Sequence, residues 1–314
     1  APTEIYTLSL HDALPILITA NIFDVKRFSV NDGDGIRTTL FIKGCPLRCA
    51  WCQNPEGIDP QIRVWYAKNV CAGCRACVAA CGEGAIGWDE KGADVDKQKC
   101  TLCGRCVSAC PTGAIRFDAK RMSVEEAVAE IEKDAAFYGR DGGVTLSGGE
   151  CMASAEFSLA GLKACRERGI GTIIETSLYA PPETLDAFCE ATDRIIADIK
   201  LIDPARHKAG TGVDNALILG NIRRLAERKA DLLLRTPLIP GYTDDEENIE
   251  GIAKFVSSLN ADVPVELLNF NPMCRDKYES LRIPYRFDPN QREIPQQKVQ
   301  ALKQILTGYG LRAL

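Results

Sequence analysis

The sequence TLFIKGCPLRCAWC, residues 39–52, joins a short apolar segment to three closely spaced cysteines, Cys45, Cys49 and Cys52. Their spacing is C-x3-C-x2-C, which is one thiolate short of the four that a [4Fe–4S] cluster takes from cysteine. An iron without a protein ligand can bind and activate a small molecule. The segment therefore predicts a β-strand that ends at an iron–sulfur site with one open coordination position.

A second set of cysteines forms an internal repeat. Two runs share the spacing C-x2-C-x2-C-x3-C, and the second begins 29 residues after the first. This duplication is typical of bacterial two-cluster ferredoxins, in which the fourth cysteine of each run serves the other cluster. We therefore predict two [4Fe–4S] clusters, one held by Cys71, Cys74, Cys77 and Cys110, and the other by Cys100, Cys103, Cys106 and Cys81.

A pair of structural zinc sites is the alternative interpretation of this repeat. Zinc sites usually place two C-x2-C knuckles on either side of a longer loop, whereas each run here has four cysteines within eleven residues. The pattern favours iron–sulfur clusters. The remaining cysteines are predicted to be small buried residues; they are Cys151, Cys165, Cys189 and Cys274.

The composition is ordinary for a globular protein. The chain has 314 residues, of which 46% are hydrophobic and 26% charged, and its net charge of −5 argues against a broad nucleic-acid surface. The longest apolar stretch, residues 13–20, is too short to span a membrane, and the first residues lack the basic region of a secretory signal. Fifteen clustered cysteines suit metal binding in a reducing compartment, so we expect a cytoplasmic protein.

Short apolar strands alternate with helices outside the cysteine repeat. We predict strands at 39–42, 144–146, 172–174, 195–199, 232–234 and 265–269, and helices at 124–138, 154–168, 182–192, 215–229, 244–259 and 296–308. Ser123 and Glu126 form a capping box at the start of the first helix. Six βα units of this kind build either an α/β barrel or an open wound sheet, and periodicity does not distinguish the two.

The chain divides into a leader, a core in two parts and an insert. Residues 1–16 show neither helical nor strand periodicity, and we expect a non-native or disordered leader there. The ferredoxin-like insert is expected at 69–118, between core segments at 17–68 and 119–314. Several predicted strands end in polar motifs, and α/β folds place their chemistry at the carboxyl ends of their strands.

Three of the motifs together indicate a family. These are the C-x3-C-x2-C run, the preceding segment DGDGIRT at 32–38 and the Gly-Gly-Glu segment at 148–150. With them, the chain resembles the radical S-adenosylmethionine (SAM) enzymes that activate glycyl radical enzymes, in the larger type with a two-cluster ferredoxin insert. The resemblance implies a partial (β/α)6 TIM-like barrel and a third cluster, whose open iron binds SAM.

The resemblance also implies a reaction and its partners. One electron, from a flavodoxin or a ferredoxin, leads to cleavage of SAM to methionine and a 5′-deoxyadenosyl radical. The insert either relays electrons from that donor or helps to dock the partner, and the sequence does not distinguish the two roles. That radical takes a hydrogen atom from the Cα of one glycine in a glycyl radical enzyme. Neither nucleic acid nor a membrane is an expected partner.

Residues of the SAM pocket follow from the same resemblance. The pocket is expected to include Trp51 and the segment Gly148, Gly149 and Glu150, which receives the SAM amino group. Lys200 matches the lysine that faces the SAM carboxylate.

Three further positions match a monovalent-cation site beside SAM in the smaller activating enzymes. They are Asp198, Thr176 and Glu175, of which Glu175 stands where aspartate is more usual.

The sequence departs from the family pattern at two places. Cys151 follows the Gly-Gly-Glu segment where the family often has proline. The segment NFNP at 269–272 replaces one that carries a SAM-contacting histidine, and the two histidines of this chain, His11 and His207, lie elsewhere. The role of that histidine is therefore absent or falls to Asn271.

Two other functions are compatible with parts of the sequence. One is a radical SAM enzyme that acts on a small molecule or on a different peptide. The other is a ferredoxin-type electron carrier, which has no need for the three-cysteine site or for the polar strand ends.

Overall fold

The main sheet of the computed structural model, which describes residues 17–288 and 290–314, has eight strands, six of them parallel, and two further pairs of strands lie apart from it. The leader predicted at 1–16 lies outside the described residues. The strands are β1 (Thr19–Ser29), β2 (Arg37–Ile42), β3 (Val64–Tyr66), β4 (Ile86–Asp89), β5 (Gly92–Val95), β6 (Ile115–Phe117), β7 (Lys120–Ser123), β8 (Gly143–Gly148), β9 (Gly171–Thr176), β10 (Arg194–Asp198), β11 (Leu232–Pro237) and β12 (Val265–Leu268).

Helices connect the parallel strands, and two short helices lie within the cysteine repeat. The helices are α1 (Ala76–Ala79), α2 (Arg105–Ser108), α3 (Val124–Glu132), α4 (Ala155–Glu167), α5 (Pro182–Ala191), α6 (Pro204–Thr211), α7 (Ala216–Glu227), α8 (Glu246–Ser257), α9 (Arg275–Leu281) and α10 (Gln296–Gly308). In the described part of the chain, none of the helices combines the length and the apolar character that a membrane span requires.

Strand order distinguishes the barrel from the open wound sheet. The order is β12-β11-β10-β9-β8-β2-β1-β7, so the parallel strands follow one another in sequence without the reversal of a doubly wound sheet. Right-handed crossovers then place every connecting helix on one face, and the sheet must curl to bury the other. Because β12 and β7 are the two edges, the barrel is partial, as predicted for a (β/α)6 fold.

The six predicted core strands are all present, and their buried side chains explain why the pattern was readable. Five of the six residues of β8 are buried, as expected for a strand covered on both faces. Within the main sheet two strands were missed: β1 pairs antiparallel with β2, and β7 pairs antiparallel with β1 at the edge.

The first core helix is shorter than predicted. The capping box is present, because Ser123 Oγ accepts from the Glu126 amide at 3.2 Å and the Glu126 carboxylate accepts from the Ser123 amide at 2.9 Å. However, α3 ends at Glu132 rather than at 138. The cause is Asp134, whose buried carboxylate accepts from Thr38 Oγ1 at 2.7 Å and from Arg27 Nε at 2.8 Å, which draws the chain back to the sheet.

The cysteine repeat folds as a unit with its own small core. Strand β3 pairs with β6 at its base, and β4 pairs with β5 as a hairpin. Its buried residues form an apolar cluster separate from that of the barrel, made of Tyr66, Cys77, Ile86, Ala93, Cys106, Ala114 and Ile115.

Candidate active site

The carboxyl ends of four neighbouring strands meet at one edge of the sheet. Cys45 follows β2, Glu150 follows β8, Thr176 ends β9, and Asp198 ends β10, with Lys200 two residues further on. Because β2, β8, β9 and β10 are consecutive in the sheet, these residues from distant parts of the sequence lie side by side. This edge is therefore the candidate site.

The loop Cys45–Cys52 is held in place by backbone hydrogen bonds to α6. The amide of Arg48 donates to the Thr211 carbonyl at 2.7 Å, and the amide of Ala50 donates to the Gly210 carbonyl at 2.9 Å. The end of a helix from a later βα unit thus fixes the shape of a loop that precedes it by more than 150 residues in the sequence. The three thiols are all partly exposed within this fixed loop.

Trp51 lies beneath the loop, in the main apolar core. Its side chain is only 4% exposed and its ring lies 5.0 Å from that of Tyr242. A methyl group on Gly210 would lie 2.8 Å from the indole, so the contact also requires the absence of a side chain there. The structure therefore places Trp51 against the helix that holds the cysteine loop, and its place in the SAM pocket stays a prediction.

Burial dominates the electrostatics of the three thiols. It raises the pKa of Cys45 to about 12, with a further contribution from Glu150, and raises the pKa values of Cys49 and Cys52 as well. Lys200 acts in the opposite direction on Cys49. Partly buried thiols with raised pKa values become thiolates when a bound metal supplies the compensating positive charge, so the donor set fits an iron–sulfur cluster.

Lys200 remains charged although it is only 8% exposed. Burial alone would lower its pKa, but the adjacent Asp198 carboxylate, with which it forms an ion pair, and the Cys49 thiol raise it above its ordinary value. The candidate site therefore contains a buried cation next to the cysteine loop.

Close packing explains the two glycines at the end of β8, Gly148 and Gly149. Gly148 has a φ of +115°, and a methyl group there would lie 2.3 Å from the amide nitrogen of Ile42. A methyl group on Gly149 would lie 2.5 Å from the carbonyl oxygens of both Gly44 and Gly57. The absence of side chains lets the end of β8 approach the start of the cysteine loop.

The Glu150 carboxylate is fully engaged by protein donors. One oxygen accepts from Thr176 Oγ1 at 2.8 Å and from the Met152 amide at 3.2 Å. The other accepts from the Ser177 amide at 2.8 Å and from Ser177 Oγ at 2.6 Å. Glu150 is 2% exposed, so it ties the end of β8 to the end of β9 within the protein.

Arg235 is a buried charged residue that the sequence interpretation missed. It forms ion pairs with Glu175 and Glu266 and donates to the Asn31 carbonyl at 3.1 Å. Glu175 also accepts from Ser147 Oγ at 2.7 Å. A single arginine in the otherwise apolar strand LLLRTP of β11 was the signal that could have revealed it.

The residues of the predicted cation site have protein partners. Asp198 pairs with Lys200, the Thr176 hydroxyl donates to Glu150, and Glu175 pairs with Arg235. Within residues 17–288 and 290–314, no group of three or more His, Cys, Asp or Glu side chains is spaced to hold a single metal ion.

Asn271 lies at the rim of the site. Its side-chain oxygen accepts from the Met273 amide at 2.9 Å. Its carbonyl accepts from Nε2 of Gln53, the residue directly after the cysteine loop, at 3.0 Å. His207 is buried elsewhere, with Nδ1 2.7 Å from the Val213 carbonyl oxygen, and His11 lies outside the described residues.

The insert brings its cysteines together across the repeat. Cys81 from the first run lines one cavity with Cys100, Cys103 and Cys106 from the second. Cys77 is electrostatically coupled to Cys110 and Cys71, and burial is the main cause of its raised pKa. The crossed arrangement that the sequence predicts is therefore compatible with the fold.

The four remaining cysteines were predicted to be small buried residues. Cys151, Cys165 and Cys274 are buried, as predicted, whereas Cys189 is only half-buried.

Two family models match the chain. One described as Radical SAM superfamily matches residues 97–254, and one described as 4Fe-4S dicluster domain matches residues 70–114. The first match begins inside the insert and does not include the loop Cys45–Cys52.

Named relatives cover most of the chain. This chain is 45% identical over 276 residues to the (2S)-3-sulfopropanediol sulfolyase activating enzyme of Bilophila wadsworthia, and the aligned region covers 86% of this chain and 91% of that enzyme. It is 40% identical over 273 residues to the (2S)-3-sulfopropanediol dehydratase activating enzyme of Klebsiella oxytoca, with 84% and 86% covered.

A solved structure is also similar. It is a domain of pyruvate-formate lyase-activating enzyme from Bacteroides vulgatus, with 34% identity and a TM-score of 0.47, covering 55% of this chain and 98% of that chain. The relatives' names favour an activating enzyme over an electron carrier. The chain therefore belongs to the radical SAM enzymes that activate glycyl radical enzymes, and it carries a dicluster ferredoxin-like insert.

Proposed function

We propose that this chain holds three [4Fe–4S] clusters and activates a glycyl radical enzyme from the edge of its partial barrel. One observation supports this proposal most directly. The loop Cys45–Cys52 supplies three thiols, one fewer than a cluster takes from cysteine, and these thiols lie next to the buried cation of Lys200. A bound cluster with SAM would supply the reductive cleavage that yields a 5′-deoxyadenosyl radical.

The protein's own residues would bind and orient SAM. Lys200 is placed to pair with the SAM carboxylate, because its charge is buried and adjacent to the thiols. Since both oxygens of Glu150 already have protein donors, the backbone carbonyls of Gly148 and Gly149 are the better acceptors for the SAM ammonium group. Glu150 would then act by fixing that backbone.

We extend the proposal to a monovalent cation only at Asp198. Glu175 and Asp198 each have a cation beside them, in Arg235 and Lys200. Only Asp198 would become free to bind an ion, because Lys200 would leave it to pair with the SAM carboxylate. SAM affinity measured with and without potassium tests this part, and equal affinities would contradict it.

The insert is proposed as a domain bounded by the β3–β6 pair, with core segments on either side. Its two clusters would take the electron from a flavodoxin or ferredoxin. A reducing cytoplasm suits the eleven cysteines assigned to clusters.

The partner enzyme is proposed to act on a sulfonated diol. This rests on the two relatives, whose names specify a (2S)-3-sulfopropanediol sulfolyase and a dehydratase. Anaerobic incubation of the reconstituted chain with SAM, a reductant and each of these two lyases tests the proposal by electron paramagnetic resonance. A glycyl doublet is expected with one lyase, and no doublet with either would refute the partner class.

A further inference from the structure

The segment 271–283, which contains α9, touches both the cysteine loop and the insert. On the loop side, Tyr278 Oη donates to the carbonyl of Cys52 at 2.9 Å. Lys277 Nζ donates to Asn54 Oδ1 at 2.8 Å and to Glu56 Oε1 at 2.6 Å. The residues that directly follow the third thiol are therefore bound to α9.

On the insert side, Arg282 binds the β4–β5 hairpin. It donates to both carboxylate oxygens of Asp89 and to the carbonyls of Gly92 and Ala93, each at 3.1 Å, and it lies 3.2 Å from a carboxylate oxygen of Asp94. This forked, charge-assisted geometry is more specific than that of a simple surface ion pair. Arg282 lies four residues after Tyr278, at the end of the same short helix.

The base of the insert is fixed at a second point. Lys43 and Asp118 form an ion pair of 2.7 Å whose side chains are 0% and 3% exposed. Lys43 stands two residues before Cys45, and Asp118 follows β6. The β4–β5 hairpin is thus held by Arg282, and the base of the insert by Lys43.

One side of the insert faces the barrel. Tyr66 lines a cleft of about 660 Å³ together with Tyr278 and Arg282. Lys68 and Asn69, which closely precede Cys71, line the same cleft. The cavity lined by Cys81, Cys100, Cys103 and Cys106 is bordered by insert residues alone. The cysteine set that contains Cys71 is therefore the one nearer to the barrel.

We propose that Arg282 and Tyr278 are positioning residues that hold the Cys71 side of the insert and the loop Cys45–Cys52 at a fixed separation for electron transfer. The inference rests on the proposed function, which requires one electron for each SAM cleaved. That electron comes from an external one-electron donor of the flavodoxin class, passes through the insert and ends at the cysteine loop. Tyr278 fixes the loop and Arg282 fixes the hairpin.

The variants Arg282→Gln and Tyr278→Phe test the proposal, with Arg275→Gln as the matched control. Arg275 lies on the same helix but pairs with Glu279, at 3.2 Å, and not with the insert. Each reconstituted protein is assayed for iron content, SAM affinity and hydrogen exchange of the hairpin 86–95. The rate of methionine release is measured with reduced flavodoxin and with excess dithionite.

We expect Arg282→Gln to retain its iron and its SAM affinity. Its hairpin should exchange faster, and its flavodoxin-driven rate should fall on the order of tenfold, the effect of losing one charge-assisted hydrogen bond. The rate with dithionite, a small reductant, should be close to that of the wild type. Tyr278→Phe should lower the same flavodoxin-driven rate, Arg282→Lys should restore part of it, and Arg275→Gln should match the wild type.

Two results would overturn the inference. Equal flavodoxin-driven rates in wild type and Arg282→Gln would show that the contact does not position the insert. An equal loss with both reductants would assign Arg282 a structural role only. Failure of the proposed function is distinguishable, because the wild type itself would then release no methionine with either reductant.

Discussion

Replacement of Glu150 by glutamine separates a structural role of this carboxylate from a direct role in binding SAM. In the wild type, four protein donors from Met152, Thr176 and Ser177 reach its two oxygens. Glutamine keeps the volume and one acceptor oxygen, but its amide group faces two of the donors. The backbone amide that faces the NH2 group loses its acceptor, whereas the neighbouring hydroxyl can turn and accept from it. One hydrogen bond to a charged group is therefore lost and the other three become neutral.

The expected loss of stability follows from these bonds. Loss of one hydrogen bond to a charged group costs about 1.5 kcal/mol or more, and the change of three others to neutral bonds costs about 0.5 kcal/mol each, which gives about 3 kcal/mol in all. Larger domains lose about 2–4 °C in melting temperature per kcal/mol. The melting temperature of Glu150→Gln should therefore fall by about 6–12 °C relative to the wild type.

The assay is thermal unfolding of the reconstituted proteins without SAM, followed anaerobically by far-ultraviolet circular dichroism. Glu167→Gln is the control, because Glu167 is exposed on α4; such surface changes alter stability by about 0.5 kcal/mol or less. If Glu150→Gln has the same melting temperature as the control and only its affinity for SAM is reduced, the carboxylate binds SAM directly and the structural reasoning is wrong.

Three other substitutions test the remaining parts of the site. Gly149→Ala should destabilise the protein by about 1–3 kcal/mol, measured by urea unfolding, because its methyl group would lie 2.5 Å from two carbonyl oxygens. Changing Cys45, Cys49 and Cys52 together to alanine should lower the iron content from about twelve to about eight atoms per chain, and an unchanged content would contradict the assignment. Lys200→Met should raise the SAM dissociation constant by about 10- to 150-fold in equilibrium dialysis, and an unchanged constant would rule out its pairing with the carboxylate.

Local patterns predicted the elements of the fold well. The six core strands were found because their side chains are buried on both faces, and the helix beginning at Val124 was found from its capping box. The end of that helix was wrong, because Asp134 bonds to Thr38, which lies 96 residues away. This helix end shows that local patterns fail where a charged side chain bonds to a distant partner.

The candidate site was predicted at the level of residue types but not of contacts. The sequence indicated that Glu150 and Lys200 lie near the cysteines, since both follow strands of the core. It did not indicate that Glu150 is saturated by the end of β9, or that Arg235 occupies the interior beside Glu175. These contacts join residues 27 and 60 positions apart, whose pairing depends on the order of the strands.

The spacing of the cysteines by itself indicated the number of clusters that we propose for the chain, because ligation by closely spaced thiols is a local property. Whether six βα units close into a partial barrel was decided only by strand pairing across the sheet. The link between insert and barrel was likewise tertiary, since Arg282 meets Asp89 from 193 residues away. Spacing and periodicity record which groups are near in the chain, whereas distant groups are brought together by burial and pairing of whole elements.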